Sequence, residues 1–290
     1  MKILSDFNLT VDAQEVEENL EQIRVSVPSG DHRELLKKIF SLIDLTSLDE
    51  KDNIERITGL CEKVNLLTES YPSIHGPAAI CVYPDLVSVV KEKLDNPLVN
   101  IASVGGGFPA SQTFTNVKIL EMEQAIAEGA EEIDYVIPVG KFLMDDLEYV
   151  QYEIELIKDR IGSVPLKVIL ETGSLKDYSL IRKASFLAII SGADFIKTST
   201  GKVSPAATPG AFLVMCHAIR DYYNNTGKKI GVKPAGGISD GEKALYYYTI
   251  VKEILGDDWL NSERLRIGAS RLANRILGEI FDQGQDFSYF

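Results

Sequence analysis

Apolar residues recur along the chain in two alternating rhythms. Short β-type runs appear as SLIDLT near position 41, AAICVY near 78, NIASVG near 100, EIDYVIP near 132, LKVILETG near 166, FIKTSTG near 195, IGVKPAGG near 230 and RLRIGAS near 264. Between them lie stretches with apolar residues every three or four positions, such as NVKILEMEQAIAEG, DLEYVQYEIELIKDRIG, KDYSLIRKASFLAIISG and PGAFLVMCHAIRDYYNN. The first rhythm predicts strands and the second amphipathic helices. The eight strand signals start about 22 to 37 residues apart, the length of ordinary βα units. No linker interrupts the series. The pattern therefore predicts an α/β fold in a single domain, a closed (β/α)8 TIM barrel rather than an open doubly wound sheet.

Residues 1–30 break the rhythm. They hold Asp6, Asp12, Glu15, Glu17, Glu18 and Glu21 against Lys2 and Arg24. Val16, Leu20 and Ile23 stand at helical spacing, and Asp12 with Glu15 has the form of a capping box. Pro28-Ser29-Gly30 ends the segment. A second helix start is expected at Asp31, with Glu34 three residues on and Leu35, Leu36, Ile39 and Leu42 as its apolar face. The chain thus divides into an acidic N-terminal helical extension (1–30), a barrel (31–281) and a polar C-terminal tail (282–290). The extension reads either as a dimer or packing arm or as a solubilising tail.

Composition narrows the function classes. A chain of 290 residues is long for one domain, but α/β barrels reach about 250 as a single unit. With 45% hydrophobic and 25% charged residues it is an ordinary globular protein. Its net charge of −13 repels phosphate backbones, so no nucleic-acid partner is expected. A small phosphorylated metabolite would need cations gathered locally. Cys61, Cys81 and Cys216 lack metal-ligand spacing and cannot all pair, which fits a reduced, cytoplasmic setting. No apolar run reaches the ~18 residues of a membrane span, so no membrane partner is expected. The opening MKILSDFNLT has no signal-peptide hydrophobic region. His32, His75 and His217 are far apart in sequence, so no histidine-rich metal site is expected.

Charged residues inside apolar strands are costly unless paired, so they mark a site. Here they are Asp44, Asp134, Lys167, Glu171, Lys197 and Lys233. Lys167 stands near the start of its strand and reads as a packing or ion-pair lysine. Asp134 and Lys197 occupy the same offset after two matching Gly-Ala turns (Gly129-Ala130 and Gly192-Ala193), so both should project the same way. Lys197 and Lys233 lie mid-strand on neighbouring strands. At pH 7 an ordinary lysine, with pKa ~10.4, is a free amine in only about one molecule in 2,500. A second ammonium ~4 Å away at an effective dielectric of ~20 costs about 4 kcal/mol, or roughly three pKa units. Such a pair suits a Schiff-base nucleophile in a partly dry site. The trio Asp44, Asp134 and Glu171 also suggests magnesium, but the ammonium groups would compete with it. Glycine-rich segments follow the last three strands: Gly201-Lys202, Gly236-Gly237 and Gly268-Ala269-Ser270. In barrels, loops at these positions commonly hold phosphate.

The motifs IDLTSL (43–48), AAICVYP (78–84), GAEEIDYVIP (129–138), LKVILETGSLKD (166–177), SGADFIKTSTGKV (191–203), GVKPAGGI (231–238) and RIGAS (266–270) together resemble the deoxyribose-phosphate aldolases, class I barrel aldolases. The resemblance spans about residues 31 to 281. It implies reversible cleavage of 2-deoxy-D-ribose 5-phosphate to D-glyceraldehyde 3-phosphate and acetaldehyde, without cofactor or metal. By motif position, Lys197 resembles the Schiff-base lysine, Lys233 the lysine that tunes it, and Asp134 the aspartate that relays protons through water. Asp44 and Thr46 resemble substrate-pocket residues, with Asp44 paired to Lys233. Thr200, Gly201, Lys202, Gly236, Gly237, Ser239, Gly268 and Ser270 resemble the substrate and phosphate pocket. The broken bond is expected at C3–C4, with a base taking the C4 hydroxyl proton. Some members end in a tyrosine that assists proton transfer; here Tyr289 is penultimate and Phe290 last. The expected partners are small sugar phosphates and aldehydes, with a homodimer as the candidate assembly. Two rival readings use the same residues. One is a metal-independent sugar-phosphate isomerase with Asp134 or Glu171 as base, and the other is a non-catalytic sugar-phosphate binding module.

Overall fold

The computed structural model describes residues 4–284 and 287–290. Residues 1–3 and 285–286, which fall in the extension and the tail, lie outside the described residues. Eight strands form at the eight apolar runs: β1 (Ile43–Thr46), β2 (Ala79–Val82), β3 (Asn100–Gly105), β4 (Glu132–Val136), β5 (Leu166–Ile169), β6 (Phe195–Lys197), β7 (Gly231–Lys233) and β8 (Ile267–Ala269). All neighbours are parallel, in the order β7-β6-β5-β4-β3-β2-β1-β8. The remaining seam, between β7 and β8, is closed by the bridges Val232–Leu265 and Ala235–Gly268. Helices follow the strands, as parallel crossovers require. No helix among the described residues is long and apolar enough to cross a membrane.

The two Gly-Ala turns build equivalent corners. Gly129 and Gly192 both take left-handed backbone, at φ 116° and 105°. The acid after each turn then accepts a backbone N–H from the start of the preceding strand: Glu131 from Ile101 at 3.0 Å, and Asp194 from Leu166 at 2.9 Å. These matched anchors give Asp134 and Lys197 the same offset within their strands, although the register sets Lys197 one layer above Asp134.

The described residues of the extension pack against the barrel. The extension's helix Ala13–Val25 is N-capped by Asp12, which accepts the Gln14 N–H, and buries Val16, Leu20 and Ile23. Those residues and Leu4 belong to the barrel's own hydrophobic core. The second helix begins later than the sequence suggests, at Arg33 rather than Asp31. Asp31 still accepts the Arg33 N–H at 3.1 Å, but His32 occupies the cap position. At the far end, Tyr289 donates its hydroxyl to the Lys63 carbonyl at 2.9 Å and stacks edge-on against Tyr71. The tyrosine is thus held on the outside of the barrel, away from the strand ends that carry the lysines.

Candidate active site

Inside the barrel the strand residues stack in layers, because alternate side chains face inward. Asp134 lies beside Lys167 in register, and Lys197 beside Lys233 one layer higher. The two upper lysines are the last residues of β6 and β7 rather than mid-strand residues. They therefore stand at the C-terminal face, where barrel chemistry is done.

Asp134 is the hub. Its Oδ2 accepts from Lys197 and from Lys233, each at 2.7 Å, and its Oδ1 accepts from Lys167 at 2.9 Å. Lys233 also donates to Asp44. Lys167 pairs with Glu132 at 2.5 Å. Arg266 reaches both Asp44 (2.7 Å) and Glu132 (2.6 Å). Lys167 is the ion-pair lysine the sequence suggests, but its ammonium belongs to this same cluster.

All seven side chains are buried, so their charges must balance closely. Four of them can be cations (Lys167, Lys197, Lys233, Arg266) and three are carboxylates (Asp44, Glu132, Asp134). The cluster is neutral only when one lysine gives up its proton. Lys197 has one carboxylate partner, whereas Lys233 and Lys167 each have at least two. Lys197 is therefore the amine least held in its charged form. Burial and the Lys233 charge press its pKa below the usual lysine value, against the opposing pull of Asp134. Burial presses on Lys233 too, but Asp134 and Asp44 outweigh it and hold that amine above the usual value. Burial alone would raise the Asp134 carboxyl. The three lysines overcome it and hold the group well below the ordinary carboxylate range.

A cavity of about 610 Å³ opens over Lys197. Thr46, Thr200, Gly201, Lys202, Gly236, Gly237, Ser239, Gly268 and Ser270 line it, as the sequence motifs suggest. Asp44 does not: it is fully buried beneath, between Lys233 and Arg266. Gly236 has φ 78°, and a Cβ there would approach Ala206 Cβ at 2.7 Å, so only glycine closes this turn. A Cβ on Gly268 would meet Ala235 Cβ at 2.8 Å and Lys233 Cε at 3.1 Å. That glycine makes room for the second lysine. Lys202 donates across the mouth to the Leu48 carbonyl. Ser239 donates to the Asp240 carboxylate and accepts from Lys243. Cys81 lies with Ala79, Ala102, Val104 and Leu48 in a small apolar cluster. Ala79 pairs in register with the inward-facing Asp44, so this cluster walls one side of the barrel interior. Burial pushes the Cys81 thiol up to about 11, which leaves it a neutral apolar contact.

Glu171 does not join Asp44 and Asp134, so the three carboxylates do not converge on one point. It sits in left-handed backbone, at φ 55°, and its carboxylate takes the Thr200 N–H at 3.3 Å and hydroxyl at 2.5 Å. It shapes the loop after β6. The sequence reading passed over Glu132, Arg266, Arg271 and Arg56. A signal existed for the first two: Glu132 precedes Asp134 by two residues, and Arg266 precedes Gly268 by two. In a strand that spacing means a shared face. Arg56 and Arg271 also line the cavity. Arg56 is paired with Asp52 at 3.1 Å, while Arg271 is exposed and makes no ion pair among the described residues. Both lie outside the strand motifs, and only the folded mouth brings them to the glycines.

Comparisons with known proteins agree with this geometry. The sequence profile of the DeoC/LacD family aldolases matches residues 26–252. A Homo sapiens protein named deoxyribose-phosphate aldolase is 40% identical over 263 residues, covering 85% of this chain and 80% of its own. The Mus musculus protein of that name is 39% identical over 270 residues, covering 90% and 85%. Among solved structures, one described as "QR15, an Aldolase" superposes with a TM-score of 0.68 at 27% identity, covering 85% of this chain and 99% of its own. With the family profile spanning most of the barrel and relatives near 40% identity over most of both chains, this chain belongs to the DeoC/LacD family of aldolases.

Proposed function

We propose that the chain cleaves 2-deoxy-D-ribose 5-phosphate reversibly to D-glyceraldehyde 3-phosphate and acetaldehyde, through a Schiff base on Lys197. One observation carries this reading: the buried cluster has one more potential cation than carboxylates, and the least-paired lysine stands at the floor of the cavity. The names of the human and mouse relatives support the choice of substrate.

The neutral Lys197 amine adds to the C1 aldehyde, and loss of water leaves an iminium. Acetaldehyde carries away C1 and C2, so the bond that breaks is C2–C3 and the hydroxyl that loses its proton is on C3. The expected C3–C4 break and C4 proton fail this atom count, because an iminium at C1 accepts electrons only from the bond beyond C2. The electron pair of C2–C3 becomes the enamine double bond, and C3 leaves as the aldehyde carbon of glyceraldehyde 3-phosphate. Protonation at C2 and addition of water then release acetaldehyde and restore the amine. Asp134 stays ionised throughout. Its low pKa suits a carboxylate that faces the iminium and orients the relaying water, rather than one that stores the proton. Lys233 keeps its proton, and its charge adds to burial in lowering the pKa of Lys197. Asp44 acts on substrate only through Lys233. The isomerase reading needs a carboxylate free to act as base, yet Asp134 accepts from three ammonium groups and Glu171 is engaged by Thr200.

The phosphate sits over Gly201, Gly236, Gly237, Gly268 and Ser270, with Lys202 and Arg271 as its cations. Lys202→Ala and Arg271→Ala are each expected to raise KM for the phosphorylated sugar about tenfold with kcat nearly unchanged, and to leave KM for 2-deoxyribose itself unaltered. Steady-state assays with glyceraldehyde 3-phosphate as the detected product test this. A loss confined to kcat would remove the phosphate assignment, and no turnover of the phosphorylated sugar by wild-type protein would remove the function. We also read residues 1–30, 31–281 and 282–290 as arm, barrel and tail, and the buried, unpaired Cys61, Cys81 and Cys216 as those of a reducing, cytoplasmic setting.

A further inference from the structure

The packing arm lies across several barrel helices and meets one of them near the strand ends. Phe7 stacks on Phe186 at 4.1 Å between ring centroids, the Asn8 carbonyl accepts from Arg182 Nε at 2.6 Å, and the Val11 N–H donates to Ser179 Oγ at 3.0 Å. The Tyr178 hydroxyl donates to Glu17 at 3.3 Å. Tyr178, Ser179 and Arg182 all lie in the first turns of one helix, Tyr178–Ile190. That helix start is the far edge of the loop after β5, which contains Glu171 and the short turn Thr172–Leu175.

The loop after β6, from Thr198 to Thr208, leans on the same edge at three points. Thr200 is held by Glu171. The Pro205 carbonyl occupies the space a Cβ on Gly173 would need. The Tyr178 hydroxyl occupies the corresponding space on Gly210, the second residue of the helix into which the loop runs. Lys202 lies between the first two of these points. A continuous path of contacts therefore runs from the arm through Tyr178 to Gly210 and the loop that carries Lys202, while Ser179 anchors the arm beside it.

We infer that the N-terminal arm is a positioning element for the phosphate end of the substrate, acting on the Thr198–Thr208 loop through Tyr178, with Ser179 as the second anchor of the arm. This rests on the assignment of Lys202 to phosphate made above. Small displacements of a positioned binding group cost large factors in a preorganised site, so loosening the grip lowers affinity at the phosphate while the buried lysine cluster is untouched. Among the described residues, none of the arm's hydrogen bonds or ring contacts reaches Lys197, Lys233 or Asp134.

The test is the full-length double variant Tyr178→Phe/Ser179→Ala, which removes the hydrogen bonds of these two side chains to the arm and keeps the ring over Gly210. KM for 2-deoxyribose 5-phosphate is expected to rise on the order of fivefold, with kcat within about twofold of wild type and KM for 2-deoxyribose unchanged. Glu17→Gln, which keeps an acceptor for Tyr178, is expected to retain the wild-type KM. An unchanged KM for the phosphorylated sugar in the double variant, or an equal rise for both sugars, would overturn the inference. Lys202→Ala is measured alongside. If it leaves KM for the phosphorylated sugar unaltered, the phosphate assignment fails first, and this inference falls with it for that separate reason.

Discussion

Lys197→Ala should abolish turnover, lowering kcat/KM by roughly 10⁴-fold or more, while the protein remains folded. Borohydride added to wild type with acetaldehyde should leave a covalent mass increment on a peptide containing Lys197. The variant should show none. The barrel tolerates this change because removing the Lys197 ammonium group takes away the charge the cluster already tends to shed. Three cations then face three carboxylates, and Asp134 keeps Lys167 and Lys233. A catalytically dead but normally melting variant separates the nucleophile from a structural lysine. An adduct that forms on another residue, or none in wild type, would end the Schiff-base reading.

Lys233→Leu should have the second largest effect, and its sign follows from the same count. With Lys233 gone, Lys197 becomes one of three cations facing three carboxylates, and Asp134 has lost a competing partner. Lys197 is then retained as an ammonium, and its pKa moves up. The reactive free amine thus appears only at higher pH. Activity at neutral pH should fall at least about 100-fold, and the ascending limb of the pH profile should shift to alkaline values. In wild type the limb lies lower because burial and Lys233 depress Lys197. A profile that keeps its position while its height drops would assign Lys233 to substrate contact instead of tuning.

The sequence carries the barrel clearly because each βα unit is local: a strand, a turn and an amphipathic helix within some thirty residues. Lys197, Lys233 and Asp134 stand out for the same reason, as charges set in apolar runs. Their balance does not stand out. Arg266 and Glu132 meet only because the sheet closes and brings β4 opposite the segment before β8, at a separation of over a hundred residues. The helix at the arm is visible from Val16, Leu20 and Ile23, but its docking place is not. Its partners Tyr178, Ser179 and Arg182 look like an ordinary helix start. Arg271 is equally plain in sequence. Only the converging glycine loops reveal that it lines the mouth rather than the general surface.

The mouth gathers Lys202, Arg56 and Arg271 on a chain whose net charge is −13. This contrast has a kinetic consequence. A phosphate dianion approaching from bulk solvent first meets the field of the whole acidic molecule, and feels the cationic rim only within a few ångströms. The long-range part is screened over a Debye length of about 10 Å at 0.1 M salt. Raising ionic strength from low values should therefore speed substrate capture, and kcat/KM should climb before the rim itself is screened. Diffusional encounter here is the reverse of electrostatic steering: the protein repels its substrate at a distance and holds it on contact.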